Sequence, residues 1–324
     1  MNLPWLDELK QSLNEAFIGE RLGHAPLIQG PAGVGKRVLG DWLSRRILCL
    51  SRETPAPCGR CRSCELFASG THPDFFDVGI PEDKRDIPVD SIRELNGRLQ
   101  LTSSLSDRRV ARILPAEAMN TNAANALLKT LEEPASNAWL ILISDRPGRL
   151  PATIRSRCQA VTVRPPAHAE SLAWLTAEVS ARSLGIADEQ VEYALELAGD
   201  APLAALELLE GEGMNFGLGI RAGLVSMAGG KPLHEVLDTT WAEHPGSTWR
   251  WISTWCGLVL QASLGARENL GLLDELPADV PPEAAARLWD RALQGSALVR
   301  GNARHDLLLG KWLLEWNEVC NSGT

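Results

Sequence analysis

Gly30-Pro31-Ala32-Gly33-Val34-Gly35-Lys36 decides the fold of this chain. The stretch matches G-x-x-x-x-G-K in the required setting: an apolar run, Ala25 to Gln29, precedes it and a helical pattern, Lys36 to Leu48, follows it. In such a loop the glycines let backbone N–H groups approach phosphate, and the lysine reaches the β- and γ-phosphates. Gly30, Gly33, Gly35 and Lys36 are therefore the candidate nucleotide-binding residues. Strand, phosphate loop and helix in this order imply an α/β core.

Working outward, four further apolar runs read as strands: Phe75 to Ile80, Arg109 to Leu114, Trp139 to Ser144 and Gln159 to Val163. Periodic segments at Val89 to Leu101 and Asn120 to Leu131 read as helices, the second stopping before Pro134, which cannot continue one. The alternation predicts a largely parallel sheet with helices on both faces. After Arg164-Pro165-Pro166 the strand-like runs stop. A short helical unit from about Ala169 to Leu209 follows, then the Gly-rich stretch Gly211 to Gly219 as a separator, then a longer helical block. Most of the 11 tryptophans, including Trp241, Trp249, Trp251, Trp255, Trp289, Trp312 and Trp316, fall in that block. At helical spacing they read as core, with a subunit interface as the alternative.

The 324 residues leave room for two or three domains, and 44% apolar with 23% charged residues excludes a disordered chain or a fibre. Thirty-two basic against 41 acidic side chains give a net charge of −9, which argues against coating nucleic acid through global charge. No apolar run is long enough to span a bilayer, and Asp7 and Glu8 stand where a secretory signal needs a basic and then an apolar stretch. A cytoplasmic protein with no membrane partner is expected.

The phosphate loop departs from a hydrolytic one at two places. The residue after Lys36 should be Ser or Thr to ligate Mg²⁺, and here it is Arg37, which cannot ligate a cation. A later strand should end in Asp, but Val110-Ala111-Arg112-Ile113-Leu114-Pro115 ends without a carboxylate, and Glu117 lies beyond the strand end. ATP binding and hydrolysis by this chain are not expected, although Lys36 leaves residual nucleotide binding open.

Cys49, Cys58, Cys61 and Cys64 form C-x8-C-x2-C-x2-C between the first helix and the second strand. Four thiolates at this separation can close a tetrahedral shell, and Cys58-Gly59-Arg60-Cys61 resembles the knuckle turn of structural zinc sites. With all four positions filled by sulfur, a structural zinc is the expected cofactor. An unmetallated thiol cluster and an iron–sulfur centre are the alternatives. His72 reads as a surface residue rather than a ligand.

Downstream of the Trp139 strand comes Leu150-Pro151-Ala152-Thr153-Ile154-Arg155-Ser156-Arg157-Cys158. Together with the phosphate loop, the cysteine cluster, Ile87-Pro88-Val89-Asp90-Ser91-Ile92-Arg93 and Asn125-Ala126-Leu127-Leu128-Lys129-Thr130-Leu131-Glu132-Glu133-Pro134, this segment resembles the AAA+ clamp-loader family. The likeness covers about the first 165 residues well. Farther on, Asn302-Ala303-Arg304-His305-Asp306-Leu307 looks like the family's collar helix.

The resemblance implies an AAA+ α/β core over residues 1–165 with a zinc module at 49–64 inserted, a small helical lid over 166–209 and a helical collar over 210–324. It implies that Arg157, flanked by Ser156 and Cys158, is an arginine finger supplied in trans to a neighbour's ATP site. Cys158 reads as packing rather than nucleophilic, and Ser144 holds a sensor-like strand end. The departures at Arg37 and Leu114-Pro115 match the family's non-hydrolysing, stator-like member. Implied partners are the gamma/tau motor subunits and the delta subunit of a DNA polymerase III holoenzyme, with the sliding clamp and primed DNA met through the assembled loader. Arg93, Arg98, Arg108 and Lys129 are the basic residues that could face DNA. Two other readings stay open: an active AAA+ ATPase using Lys36 with Glu117 as the acid, and a zinc-dependent DNA-binding module with a relic phosphate loop.

Overall fold

The computed structural model describes residues 2–51, 54–105, 107–211, 213–236, 239–265, 277, 280–299 and 304–321. It divides into two compact units, residues 1–171 with 201–204 and residues 172–200 with 205–324.

The first unit opens with a helix α1 (Asp7–Ile18) and alternates β1 (Pro26–Gln29), α2 (Lys36–Leu48), α3 (Arg62–Ala68), β2 (Phe75–Val78), α4 (Val89–Gln100), β3 (Arg109–Ile113), α5 (Thr121–Glu132), β4 (Ala138–Ser144), α6 (Ala152–Arg155) and β5 (Gln159–Thr162). All five strands are parallel, in the order β2-β3-β4-β1-β5. Side chains alternate across the sheet with the two-residue strand period. Leu27, Ala111, Ile113, Leu140 and Leu142 join the core formed with Leu95 and Leu99 of α4 and Leu127 and Leu131 of α5. On the other face α2 comes so close that a Cβ on Gly40 would lie 2.5 Å from Ile143 Cδ1. The sheet is thus covered by helices on both sides, and each strand lies within one residue at either end of the sequence expectation, except that β2 stops at Val78.

β3 carries two buried arginines in an otherwise apolar run. Arg112 faces its cross-strand neighbour Asp77, with Nη2 2.5 Å from Oδ2, and also pairs with Asp41 of α2. Arg109 donates to the carbonyls of Leu99 (2.6 Å) and Ser136 (3.0 Å). Burial is tolerable because each guanidinium finds charged or carbonyl acceptors.

The second unit is helical. α7 (His168–Ala181) enters it, followed by α8 (Asp188–Leu197), α9 (Pro202–Glu210), whose residues 202–204 belong to the first unit, α10 (Gly213–Ala228), α11 (Leu233–Val236), α12 (Thr239–Glu243), α13 (Pro245–Ser263), α14 (Pro282–Leu298) and α15 (His305–Asn321). One core gathers Leu175, Val191, Leu195 and Leu206, and a larger one gathers Trp241, Trp249, Trp251, Trp255, Trp312 and Trp316. Tyr193, Leu197 and Leu218 pack against both cores.

The Gly-rich stretch expected to separate the helical units is helical from Gly213 onward, because two of its helix's glycines make room for indoles. A Cβ on Gly217 would lie 2.3 Å from the Trp251 ring, and one on Gly223 would lie 2.4 Å from Trp241. Three buried indole N–H groups are satisfied by helix carbonyls, Trp255 donating to Gly217, Trp312 to Leu288 and Trp316 to Leu224, each at 3.0 Å, whereas Trp251 Nε1 is buried with no hydrogen-bond partner among the described residues. His305 accepts from Trp249 Nε1 at 3.0 Å and faces Trp241 O at 3.1 Å with its other nitrogen. Trp289, 38% exposed, stands apart from the buried set. Asn302 and Ala303 of the collar-like motif lie outside the described residues. No helix among the described residues is long and apolar enough to cross a membrane.

Candidate functional site

The phosphate loop lies at the carboxyl end of β1, the crevice where open parallel sheets bind ligands. Gly33 and Gly35 have φ of +77° and +93°, a region that favours glycine. Their neighbours are close. A Cβ on Gly33 would lie 2.4 Å from that of Ala204, and one on Gly35 would lie 2.6 Å from Leu3 Cδ1. Two of the loop's carbonyls are already bonded: Gly33 O accepts from Leu203 N–H at 3.0 Å, and Val34 O accepts from the Trp5 indole at 2.9 Å. Leu3 and Leu6, fully buried, close the same side. This N-terminal cover escaped the sequence reading, which used the segment only to exclude a secretory signal.

Lys36, the first residue of α2, is 4% exposed, and its ammonium lies 2.6 Å from Asp145 Oδ1 while also bonding Pro31 O. Strand order explains the pair. β4 lies beside β1 with Ser144 level with Gln29, so the residue following Ser144 emerges beside the phosphate loop. Glu117 Oε1 accepts from the Asp145 backbone N–H at 3.2 Å, and its other oxygen is buried with no hydrogen-bond partner among the described residues. The acid considered as a substitute metal ligand therefore buttresses the residue that neutralises Lys36. Ser144 is buried, its hydroxyl accepting from Arg146 N–H at 3.2 Å.

The four cysteines come together. Cys49 caps the C-terminus of α2, Cys61 caps the N-terminus of α3, Cys64 lies within α3 and Cys58 precedes it across a turn with Gly59 at φ +73°. One sulfur from each lies within 4.8 Å of all the others, with Cys49 and Cys61 4.0 Å apart. The Arg60 backbone N–H draws the Cys58 thiol down to about 6, whereas burial pushes Cys64 up to about 12 and raises Cys49 as well. Cys58 N–H is directed at Cys49 Sγ, 3.5 Å away. Four soft donors closing on one point, with backbone N–H groups aimed at sulfur, fit a thiophilic cation, and the cluster could hold a metal ion.

His72 is not the surface residue expected from sequence. It is buried, Nδ1 accepting from Asp74 N–H at 3.1 Å and Nε2 facing Ser63 Oγ at 2.9 Å, and Ser63 in turn donates to Leu48 O at 2.8 Å. This chain ties α3 to the end of α2. Burial lowers the imidazole pKa, keeping the ring neutral, the state its Nδ1 acceptor role requires.

Arg157 follows the single turn of α6. Its Nε donates to Glu132 Oε1 at 2.9 Å, its Nη2 lies 2.6 Å from the same oxygen, and its Nη1 donates to Thr153 O at 3.0 Å. Ser156 Oγ lies 3.4 Å from Nη1. These partners come from α5 and α6, not from the phosphate loop. Cys158 packs against the α4–α5 core, its thiol pushed up to about 11 by burial. Of the four basic residues considered for DNA, Arg93 and Arg98 pair with Asp90 and Glu94 of their own helix, and Arg108 donates to Ile47 O at 3.0 Å over the Phe17 ring. Lys129 is exposed on α5.

A family model described as DNA polymerase III, delta subunit, matches residues 5–167. DNA polymerase III subunit delta' of Pseudomonas aeruginosa is 35% identical over 315 residues, covering 93% of each chain. Its counterpart in Yersinia pestis is 30% identical over 331 residues, covering 99% of this chain and 97% of its own. That of Escherichia coli K12 is 36% identical over 209 residues, 64% of this chain and 61% of its own.

Proposed function

The chain belongs to the family of DNA polymerase III delta-prime subunits, and from that premise we propose that it is the non-hydrolysing, stator-like subunit of a cytoplasmic clamp loader. The single observation that carries this reading is the phosphate loop's charge, closed within the chain. Lys36 is held by Asp145 and Pro31 O, and Arg37 stands where the Mg²⁺-ligating hydroxyl belongs. A nucleotide arriving here would have to displace a carboxylate already bonded to the lysine and would bring a Mg²⁺ ion with no protein hydroxyl to meet it.

In this role residues 1–165 serve as a degenerate AAA+ core, 166–209 as a lid and 210–324 as a collar. The core, lid and collar assemble with gamma/tau motor subunits and a delta subunit to place the sliding clamp on primed DNA. Arg157 supplies the finger to the neighbour's ATP site, where a guanidinium stabilises charge on the transferring phosphoryl group. The four-thiolate cluster holds zinc as a structural ion, since sulfur fills every position and leaves none for water. Cys49, Cys58, Cys61 and Cys64 would hold it, the zinc fixing the connection between α2 and α3.

ATP turnover by the purified chain, alone and then mixed with its motor and delta partners, tests the reading. Silence alone and equal turnover by mixtures carrying wild type or Lys36→Ala are expected. Turnover by the isolated chain that Lys36→Ala removes would make it a motor subunit instead.

A further inference from the structure

We propose that Glu132 is a positioning residue for Arg157, gripping the inner edge of its guanidinium so that the remaining donors stay available to a phosphoryl group on another chain. The inference rests on the reading of Arg157 as a finger supplied in trans. An arginine has five N–H donors. Glu132 Oε1 accepts one from Nε at 2.9 Å and forms an ion pair with Nη2 at 2.6 Å, and Thr153 O takes one from Nη1 at 3.0 Å. At least one donor therefore remains on each terminal nitrogen, the one on Nη1 facing Ser156 Oγ at 3.4 Å, beyond the range of a strong bond. Two donors on adjacent terminal nitrogens are what a bidentate contact with phosphate requires.

The grip is anchored. Glu132 is the last residue of α5, whose Leu127 and Leu131 are buried in the core beneath the sheet, and Thr153 belongs to α6, whose Ile154 is buried in the same core. Arg157 itself is 36% exposed and Glu132 51%, so as a stabilising ion pair the contact is weak. Its consequence lies in conformational freedom. A long, half-exposed arginine samples many rotamers and loses that freedom on meeting a phosphate, whereas one already held by its inner edge loses little.

The experiment follows the burst of ATP hydrolysis when primed DNA is added to the reconstituted loader. The phase that Arg157→Ala removes marks the site this chain serves. Glu132→Ala is expected to slow that phase by ~3- to 10-fold, the loss from one unrestrained side chain, with its ATP concentration dependence unchanged. Glu132→Gln, which keeps an oxygen acceptor, is expected within ~2-fold of wild type. In the Arg157→Ala background Glu132→Ala is expected to add nothing, which separates positioning from a general effect on folding. If Arg157→Ala removes a phase while Glu132→Ala leaves its rate unchanged, the positioning role fails and the finger stands. A further loss in the double variant, or a Gln variant as slow as the Ala variant, also overturns the positioning role. If Arg157→Ala removes no phase, the finger fails, and the role of Glu132 with it.

Discussion

Lys36 and Arg157 are both cations suited to phosphate, and the chain treats them in opposite ways. Lys36 is 4% exposed, bonded to Asp145 and to a carbonyl of its own loop, and Leu3, Leu6 and Trp5 lie against the neighbouring Val34 and Gly35. Arg157 is 36% exposed, held along one edge by Glu132 with donors left over. One charge is neutralised where a nucleotide would sit, and the other is kept on the surface. The proposed role, no hydrolysis of its own and a finger offered to a neighbour, would call for this asymmetry, because a buried lysine without a phosphate requires a permanent counter-charge and a finger requires an accessible fork.

The largest change should come from the four-cysteine cluster, which shares a helix with the phosphate loop: α2 begins at Lys36 and ends at Leu48, beside Cys49. Cys61→Ser should reduce bound zinc from one per chain to near zero and lower the unfolding midpoint of the α/β unit by several degrees, read by metal analysis and calorimetry. If the comparison holds, the damage stays at the far end of α2. Arg157 should still support its neighbour's hydrolysis in any loader that assembles. Wild-type protein without stoichiometric metal would remove the cluster from the account.

Asp145→Ala sharpens the contrast by making the two cations alike. It strips Lys36 of its counter-charge, and because Asp145 is half exposed the cost in stability should be ~1–2 kcal/mol rather than that of a fully buried pair. Pyrophosphate binding, expected to be undetectable in the wild type, should appear in calorimetric titration of the variant. No gain in binding would place the closure of the loop in Leu3, Leu6 and residues 201–204 instead.

The smallest effect is expected from pH. Burial lowers the His72 pKa, so between the unfolded value of about 6.5 and the lower folded one the unfolded chain binds more protons. The contribution is therefore present above about pH 6.5 and is lost as pH falls through the folded pKa. Denaturant unfolding across that range should show the slope in wild type and a shallower one in His72→Gln. Equal slopes would mean that the His72–Ser63 chain does not hold α3 to α2.

Much of the first unit was legible because its signals are local. The glycine spacing of residues 30–36 and the apolar runs identified the five strands, and the cysteine spacing identified a cluster that does close. What was not legible depends on strands brought together from afar. Asp145 lies 109 positions from Lys36 and meets it only because β4 settles beside β1. Arg112 is buried because Asp77 and Asp41 arrive from a neighbouring strand and a helix, and His72 because Ser63 receives it. The glycines from 211 to 219 read as a break because nothing nearby showed that Trp251 would lie across Gly217.

The most direct measurement is DNA-stimulated ATP hydrolysis by reconstituted loaders that differ only in this chain, carrying Lys36→Ala or Arg157→Ala. The account predicts that Lys36→Ala matches wild type. For Arg157→Ala it predicts a fall of at least a few-fold, a loss of ~10³ or more at one interface diluted by the remaining sites. A loader that tolerates Arg157→Ala but fails with Lys36→Ala would contradict it.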